Sequence, residues 1–295
     1  MAVELADVER AAVRIAPFVD HTPVLRSRVL DAWLGAECFV KAEHLQRGGA
    51  FKFRGATNAV LSLSDEDARR GVAAHSSGNH AAALARAARA RGIPAYVVMP
   101  KATTARKRTA VERLGAEITW CDDSLDARRE ALQGVLTRTG AVEIHPFDDE
   151  RVIAGAGTAA LELVAAVARL DVIVVPVGGG GLCSGTSIAA PGCRIIGAAP
   201  VDRRATVADG LRTGCSERTS AILRAHDVEF VTVAESEIED ARCSVWELAR
   251  LMVEPSAAIA FAATRNAGLG AARVGIISSG GNVAPREPRV RRLSL

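Results

Sequence analysis

The chain has 295 residues, of which 49% are apolar and 24% charged, with a formal net charge of +3. That length predicts roughly two domains of ordinary soluble composition. The small charge is scattered among acids and gives no case for nucleic acid, and no apolar run approaches the roughly 18 residues of a membrane span. The basic stretch Arg286 to Arg292 reads as a solvated terminus. The six cysteines form no Cys-x-x-Cys pair, so they read as reduced thiols of a cytoplasmic protein. The acidic, helix-like opening, Met1 to Arg10, lacks the pattern of a signal peptide.

The first informative segment is Gly-Gly-Ala-Phe-Lys-Phe-Arg-Gly-Ala at 48–56. Lys52 lies between a glycine turn and a helix-like run, flanked by Phe51 and Phe53. A lysine held against aromatic rings loses hydration, which favours the neutral amine. That is the form that attacks a carbonyl to make a Schiff base. Taken alone, such a lysine is more often a surface residue.

From residue 71 the chain alternates short apolar runs with helical patterns. Strands are predicted at 71–75, 95–99 and 116–120, and helices at 79–91, 104–114 and 124–139. The pattern breaks at Ile144-His-Pro-Phe-Asp-Asp149. A second alternation places a helix within 152–170, a strand at 172–177, a helix at 182–190 and strands at 194–199 and 230–233. Helices at 235–252 and 256–266 and a strand at 274–277 follow. This is an α/β chain with two open, parallel-type sheets and right-handed crossovers.

Three polar segments follow strands, where ligands of open α/β sheets bind. His75-Ser-Ser-Gly-Asn-His80 opens a helix, with Ser77 or Asn79 as a candidate cap. Gly178 to Gly181 lies between a strand and a helix and suits a phosphate, because backbone amides converge there. Ser-Ser-Gly-Gly-Asn at 278–282 is a polar turn after an apolar run.

Together these segments resemble the pyridoxal phosphate (PLP) enzymes of the tryptophan-synthase-β fold type, PLP fold type II. Within it they are most similar to the threonine/serine dehydratase and serine racemase group. The resemblance rests on 51–56, 76–80, Leu-Gly-Ala-Glu (114–117), His-Pro-Phe-Asp-Asp (145–149) and Val-Ile-Ala-Gly-x-Gly-Thr (152–158). It continues through 178–182, Val-Glu-Pro-Ser (253–256) and Ser-Gly-Gly-Asn (279–282). It implies a PLP site in the cleft between a large domain, 1–66 with 148–295, and a small mobile domain, 67–147.

The resemblance also implies residue roles. Lys52 would carry PLP as a Schiff base and act as a base at the substrate α-carbon. Phe51 would pack on the pyridine ring, and Asn79 would bond its phenolic oxygen. Gly178, Gly179, Gly180 and Gly181, with the Leu182 amide, would hold the phosphate, and Ser279 would face the pyridine nitrogen. Ser76, Ser77, Asn79 and His80 would receive the substrate carboxylate, and Ser77 would stand opposite Lys52. Glu254 matches a glutamate near the active site, or serves only as a helix-dipole partner. Arg128 matches a substrate-region arginine, or lies on a solvated helix face. Arg54 would approach the cofactor or lie on the helix surface, and His145 would pack at the domain crossing rather than act in catalysis.

Departures from the family pattern carry their own expectations. Ala156 replaces a usual glutamine. Ala199 and Ala205 stand where racemase-like members have the glutamate and aspartate that hold a divalent cation, so no metal site is expected. The 200–230 segment is short, which leaves the substrate wall open to rebuilding. The implied activity is β-elimination on L-threonine or L-serine. Racemisation, hydroxyaspartate ammonia-lyase action and a non-catalytic metabolite-binding relic are the alternatives. A homodimer without a regulatory domain is expected.

Overall fold

The computed structural model describes residues 3–283; the basic stretch Arg286 to Arg292 lies outside them. The chain opens with α1 (Leu5–Ile15), β1 (Val24–Leu25), α2 (Arg28–Leu34), β2 (Glu37–Lys41), α3 (Lys52–Leu61) and α4 (Asp65–Arg70). It then alternates through β3 (Val72–His75), α5 (Asn79–Arg91), β4 (Ala95–Pro100), α6 (Ala105–Glu112), β5 (Glu117–Cys121), α7 (Leu125–Thr139) and β6 (Val142–Glu143). The rest begins α8 (Glu150–Ala166), β7 (Val172–Pro176), α9 (Gly181–Ala189) and β8 (Arg194–Pro200). It ends α10 (Glu217–Ala225), β9 (Glu229–Val233), α11 (Glu235–Ala249), α12 (Pro255–Asn266) and β10 (Arg273–Ile277).

Two open sheets result. The larger has the order β1-β2-β10-β7-β8-β9 and the smaller β5-β4-β3-β6. Every pairing is parallel except that of β1 with β2. Parallel strands covered on both faces read as unbroken apolar runs, and all five residues of β7 are buried. One face of the large sheet packs on α2, α11 and α12 through residues such as Leu30, Ile238 and Phe261. Burying a side chain the size of Phe261 contributes roughly 1.5–3 kcal/mol.

The motif at 152–158 is explained by helix packing. A Cβ on Gly155 would lie 2.7 Å from the Arg54 carbonyl oxygen, and one on Gly157 would lie 2.6 Å from the Gly185 carbonyl oxygen. These glycines let α8 cross α3 and α9 at backbone contact. Ala156, between them, is buried in an apolar cluster with Phe39 and Leu182.

The alternation from 71 to 277 matches the predicted elements, with ends shifted by a few residues. Strands β1, β2 and β6 and helices α2, α4 and α10 are additions to the predicted elements. Strand β2 hides a charge, since Lys41 is fully buried and its Nζ donates to Glu162 Oε2 at 2.5 Å.

Candidate active site

Lys52 is the first residue of α3, and what fixes it is a short antiparallel pairing with the far end of the chain. The Phe51 amide donates to the Ser279 carbonyl at 3.0 Å, and the Gly281 amide donates to the Gly49 carbonyl at 2.9 Å. Between them Ala50 bridges Gly280. Gly49 has φ +73°, and a Cβ there would lie 2.5 Å from Asn282 Oδ1. The turn therefore demands glycine. Lys52 Nζ donates to the Pro146 carbonyl at 2.7 Å and lies 5.0 Å from the Phe51 ring centroid. Among the described residues no carboxylate faces it, and burial lowers its pKa to about 8.

The Pro146 carbonyl links Lys52 to the glycine run. The next residue, Phe147, packs so tightly that a Cβ on Gly179 would lie 2.3 Å from its ring. Gly180 caps α9 in the left-handed region, φ +89°. Its Cβ would meet Thr219 at 2.8 Å. Two carbonyls of this loop are tied back: Thr219 Oγ1 donates to Gly179 O at 2.9 Å, and the first turn of α9 holds Gly180 O through the Ser184 amide at 2.8 Å. Among the described residues nothing accepts from the Gly178, Gly179 or Gly180 amides.

The 76–80 segment joins β3 to α5. The Ser76 amide is held by Val98 O at 3.1 Å, and Ser76 Oγ accepts from the Gly78 amide at 3.3 Å. Asn79 and His80 are the first two residues of α5, so their amides have no intrahelical acceptor. Ser77 is half-buried, and Lys52 donates to Pro146 rather than to it. In His80 the ring and the backbone part company. Its Nε2 lies 2.9 Å from the Ile144 carbonyl, which can only accept, so Nε2 carries the hydrogen. Burial lowers its pKa to about 3, and Nδ1 is buried without a partner. A neutral His80 side chain has no proton left to offer a carboxylate; only its backbone amide can serve.

Asn79 Nδ2 donates to Glu254 Oε1 at 2.8 Å, and the Asn282 amide donates to Glu254 Oε2 at 3.1 Å. Asn282 Nδ2 closes the circuit on Asn79 Oδ1 at 3.0 Å. Glu254 precedes α12, yet its side chain does not cap that helix. It turns instead to Asn79 and Asn282, while its place at the N-terminus of α12 keeps it near the positive end of that helix. Burial and the charge of Asp209 raise its pKa to about 7, against the pull of Asn79 and Asn282. Ser279 is buried, with its Oγ 3.5 Å from Ser256 O.

Two arginines differ from their alternatives. Arg54 is not on a helix surface. It is fully buried, with Nε 2.7 Å from Glu43 Oε2 and Nη1 2.6 Å from Glu162 Oε1. Arg128 is half-buried against Asp123, and its charge helps hold the His75 pKa down after burial. Arg129, beside it, carries the solvated face, at 67% exposure. His145 does have a packing role, because its Nδ1 accepts from the Asp148 amide at 2.9 Å and its ring meets Phe147 edge-on. Burial lowers its pKa to about 4, which keeps that nitrogen an acceptor.

The structure thus gathers Lys52, Phe51, Ser279, Asn79, Glu254 and the glycine run. Asn282, Phe147 and Thr219 had no assigned role in the sequence. Asn282 and Phe147 at least lie in the Ser-Gly-Gly-Asn and His-Pro-Phe-Asp-Asp motifs, whereas Thr219 acts through a hydrogen bond to Gly179 O that no local pattern marks. At the positions expected to lack cation ligands, Ala199 is buried and Asp202 caps its own turn by accepting from the Arg204 amide at 2.8 Å.

The family model described as pyridoxal-phosphate dependent enzyme matches residues 15–280. The serine racemase of Arabidopsis thaliana is 43% identical, over 96% of this chain and 94% of its own. The beta-hydroxyaspartate dehydratase of Paracoccus denitrificans is 42% identical, over 94% and 95%. The solved structure of maize serine racemase superposes with a TM-score of 0.94 at 39% identity, covering 96% of this chain and 95% of that one. The cofactor is pyridoxal 5'-phosphate. The residues present fit it: an amine without a countercharge lies beside a glycine loop two of whose carbonyls are tied back and whose amides are free.

Proposed function

The chain belongs to the pyridoxal-phosphate-dependent enzyme family, and from that premise we propose that it removes water and ammonia from a small β-hydroxy amino acid, L-serine or L-threonine. The observation that carries this reading is the pairing of 49–51 with 279–281, which sets a neutral buried hydroxyl beside the turn that ends in Lys52. Lys52 Nζ would hold the cofactor, with Phe51 against its ring and Asn79 at its phenolic oxygen. The amides of Gly178 to Leu182 would take its phosphate, and Ser279 its pyridine nitrogen. When bound, the cofactor withdraws electron density from the substrate α-carbon. Ser279 cannot protonate that nitrogen, so the withdrawal is moderate, which suits departure of hydroxide as the α-proton is taken. Lys52, with a pKa of about 8, is partly neutral near pH 7 and would accept that proton at Nζ; returned to the departing hydroxide, the proton leaves with it as water. The free amides of Asn79 and His80, with the Ser76 and Ser77 hydroxyls, receive the carboxylate.

Residues 67–147 act in this reading as the small unit that closes on substrate, against 1–66 with 148–295. Lys107 on α6 already reaches Asp209 across the cleft, at 2.5 Å. The family resemblance further supports a cytoplasmic homodimer; the described helices include none long and apolar enough to cross a membrane. A second reading, 3-hydroxyaspartate as substrate, is favoured by Arg128, whose buried Nε has no partner. It would meet a second carboxylate.

The test is a visible absorbance spectrum of the protein with PLP, paired with a 2-oxo acid assay and chiral analysis of remaining substrate. Oxo acid from serine or threonine, lost in Lys52→Ala together with the absorbance band, is the expected result. Oxo acid from 3-hydroxyaspartate alone moves the assignment to the second reading. D-serine without oxo acid overturns elimination in favour of racemisation.

A further inference from the structure

We propose that Arg203 is the positioning residue that aims the amides of the glycine loop, acting as a fixed cation built into the short 200–230 segment. The inference rests on that loop being the phosphate site. Arg203 Nη1 lies 2.8 Å from Val177 O, 3.0 Å from Leu211 O, 3.2 Å from Thr213 O and 3.5 Å from Gly178 O. A guanidinium nitrogen has two hydrogens, so these four oxygens share them. Carbonyl oxygens converging from separate loops form the kind of donor set that suits a hard cation. Here a side chain supplies the charge.

The geometry of the peptide unit turns this clip into an aiming device. In a trans peptide the carbonyl of one residue and the amide of the next point to opposite sides, and no cis bond occurs among the described residues. Holding Val177 O and Gly178 O outward therefore directs the Gly178 and Gly179 amides inward. Thr219 does the same for the Gly180 amide by holding Gly179 O at 2.9 Å. The segment also braces the loop sterically, because a Cβ on Gly178 would lie 2.7 Å from Gly210 O. Glycine loops sample many conformations, and preorganising one of them removes an ordering cost at binding.

The prediction concerns the phosphate alone. The full chain, freed of cofactor, is titrated with PLP and separately with pyridoxal, which has the ring and aldehyde but no phosphate. Arg203→Ala is expected to weaken PLP binding about tenfold or more while pyridoxal changes by less than about twofold. Arg203→Lys, with one charge but no planar fork, should fall between. Added guanidinium ion should restore part of the lost PLP affinity in Arg203→Ala. An unchanged ratio of PLP to pyridoxal affinity in Arg203→Ala overturns the proposal. So does a parallel loss of both affinities with a lowered melting temperature, which would make Arg203 a general structural residue. If the unaltered protein itself fails to prefer PLP over pyridoxal, the phosphate assignment of the loop fails, a result distinct from either.

Discussion

Lys52 and Arg54 stand two residues apart on α3, and the fold treats them in opposite ways. Arg54 lies between the carboxylates of Glu43 and Glu162, which outweigh its burial and hold its pKa above the ordinary value. Lys41 joins the same cluster through Glu162. Burial alone would raise the Glu162 pKa, but the bonds from Arg54 and Lys41 bring it down. Lys52 has only a carbonyl and an aromatic ring for company, and burial lowers its pKa to about 8. Loss of water alone does not decide whether a base stays charged; the presence of a countercharge does. One face of the helix is a structural clamp, and its first residue is left reactive.

Removing each base should separate these roles. Lys52→Met is expected to lower turnover by at least about 10²–10⁴-fold, the share of a positioned base, measured as kcat in the oxo acid assay. Arg54→Met should leave the fold short by roughly 3–5 kcal/mol, because two carboxylates lose their shared cation; urea unfolding reads this directly. Lys52→Met should do the reverse in the cofactor-free protein. Between pH 8 and 10.5 the unfolded chain holds more protons on Lys52 than the folded one, so wild-type stability rises with pH there. At pH 7 the variant should be more stable by roughly 1–3 kcal/mol, and the gap should close as pH rises through that window.

Glu254 sharpens the comparison as an acid in Lys52's position. Its folded pKa of about 7 lies above the ordinary 4.5, so the folded state holds the extra proton and wild-type stability falls as pH rises between those values. Glu254→Gln should flatten that slope by roughly 1–2 kcal/mol, read from urea midpoints across pH 4–8. The smallest effect is expected from a chelator. With Ala199 and Ala205 where the family resemblance implies cation ligands, EDTA should leave kcat and melting temperature unchanged.

What the sequence made legible was local. A strand followed by four glycines and a helix, or a serine-rich turn opening a helix, announces itself within ten residues or so because backbone chemistry dictates it. Arg54 was opaque because Glu162, its partner on α8, is 108 residues away. Strand β2 was hidden by its own lysine, whose charge is answered only in the folded state. For His80 the motif left open whether ring or backbone would serve: the ring hydrogen goes to the Ile144 carbonyl, which leaves the backbone amide for a carboxylate. Arg203 carried no signal, since main-chain carbonyls of any sequence can be its partners.

The strand order has a consequence for how the molecule is born. Strand β10, residues 273–277, lies between β2 and β7, residues 37–41 and 172–176. A ribosome delivers β2 and β7 long before the strand that joins them, so two strand edges wait with their backbone N–H and C=O groups unpaired across a gap. Such late insertion makes assembly slow and leaves the nascent chain open to sticking to its neighbours. The same insertion carries Ser279 up to the turn at Lys52, so the catalytic pocket is completed by the event that seals the sheet. A chain able to capture its cofactor has therefore already passed its hardest folding step.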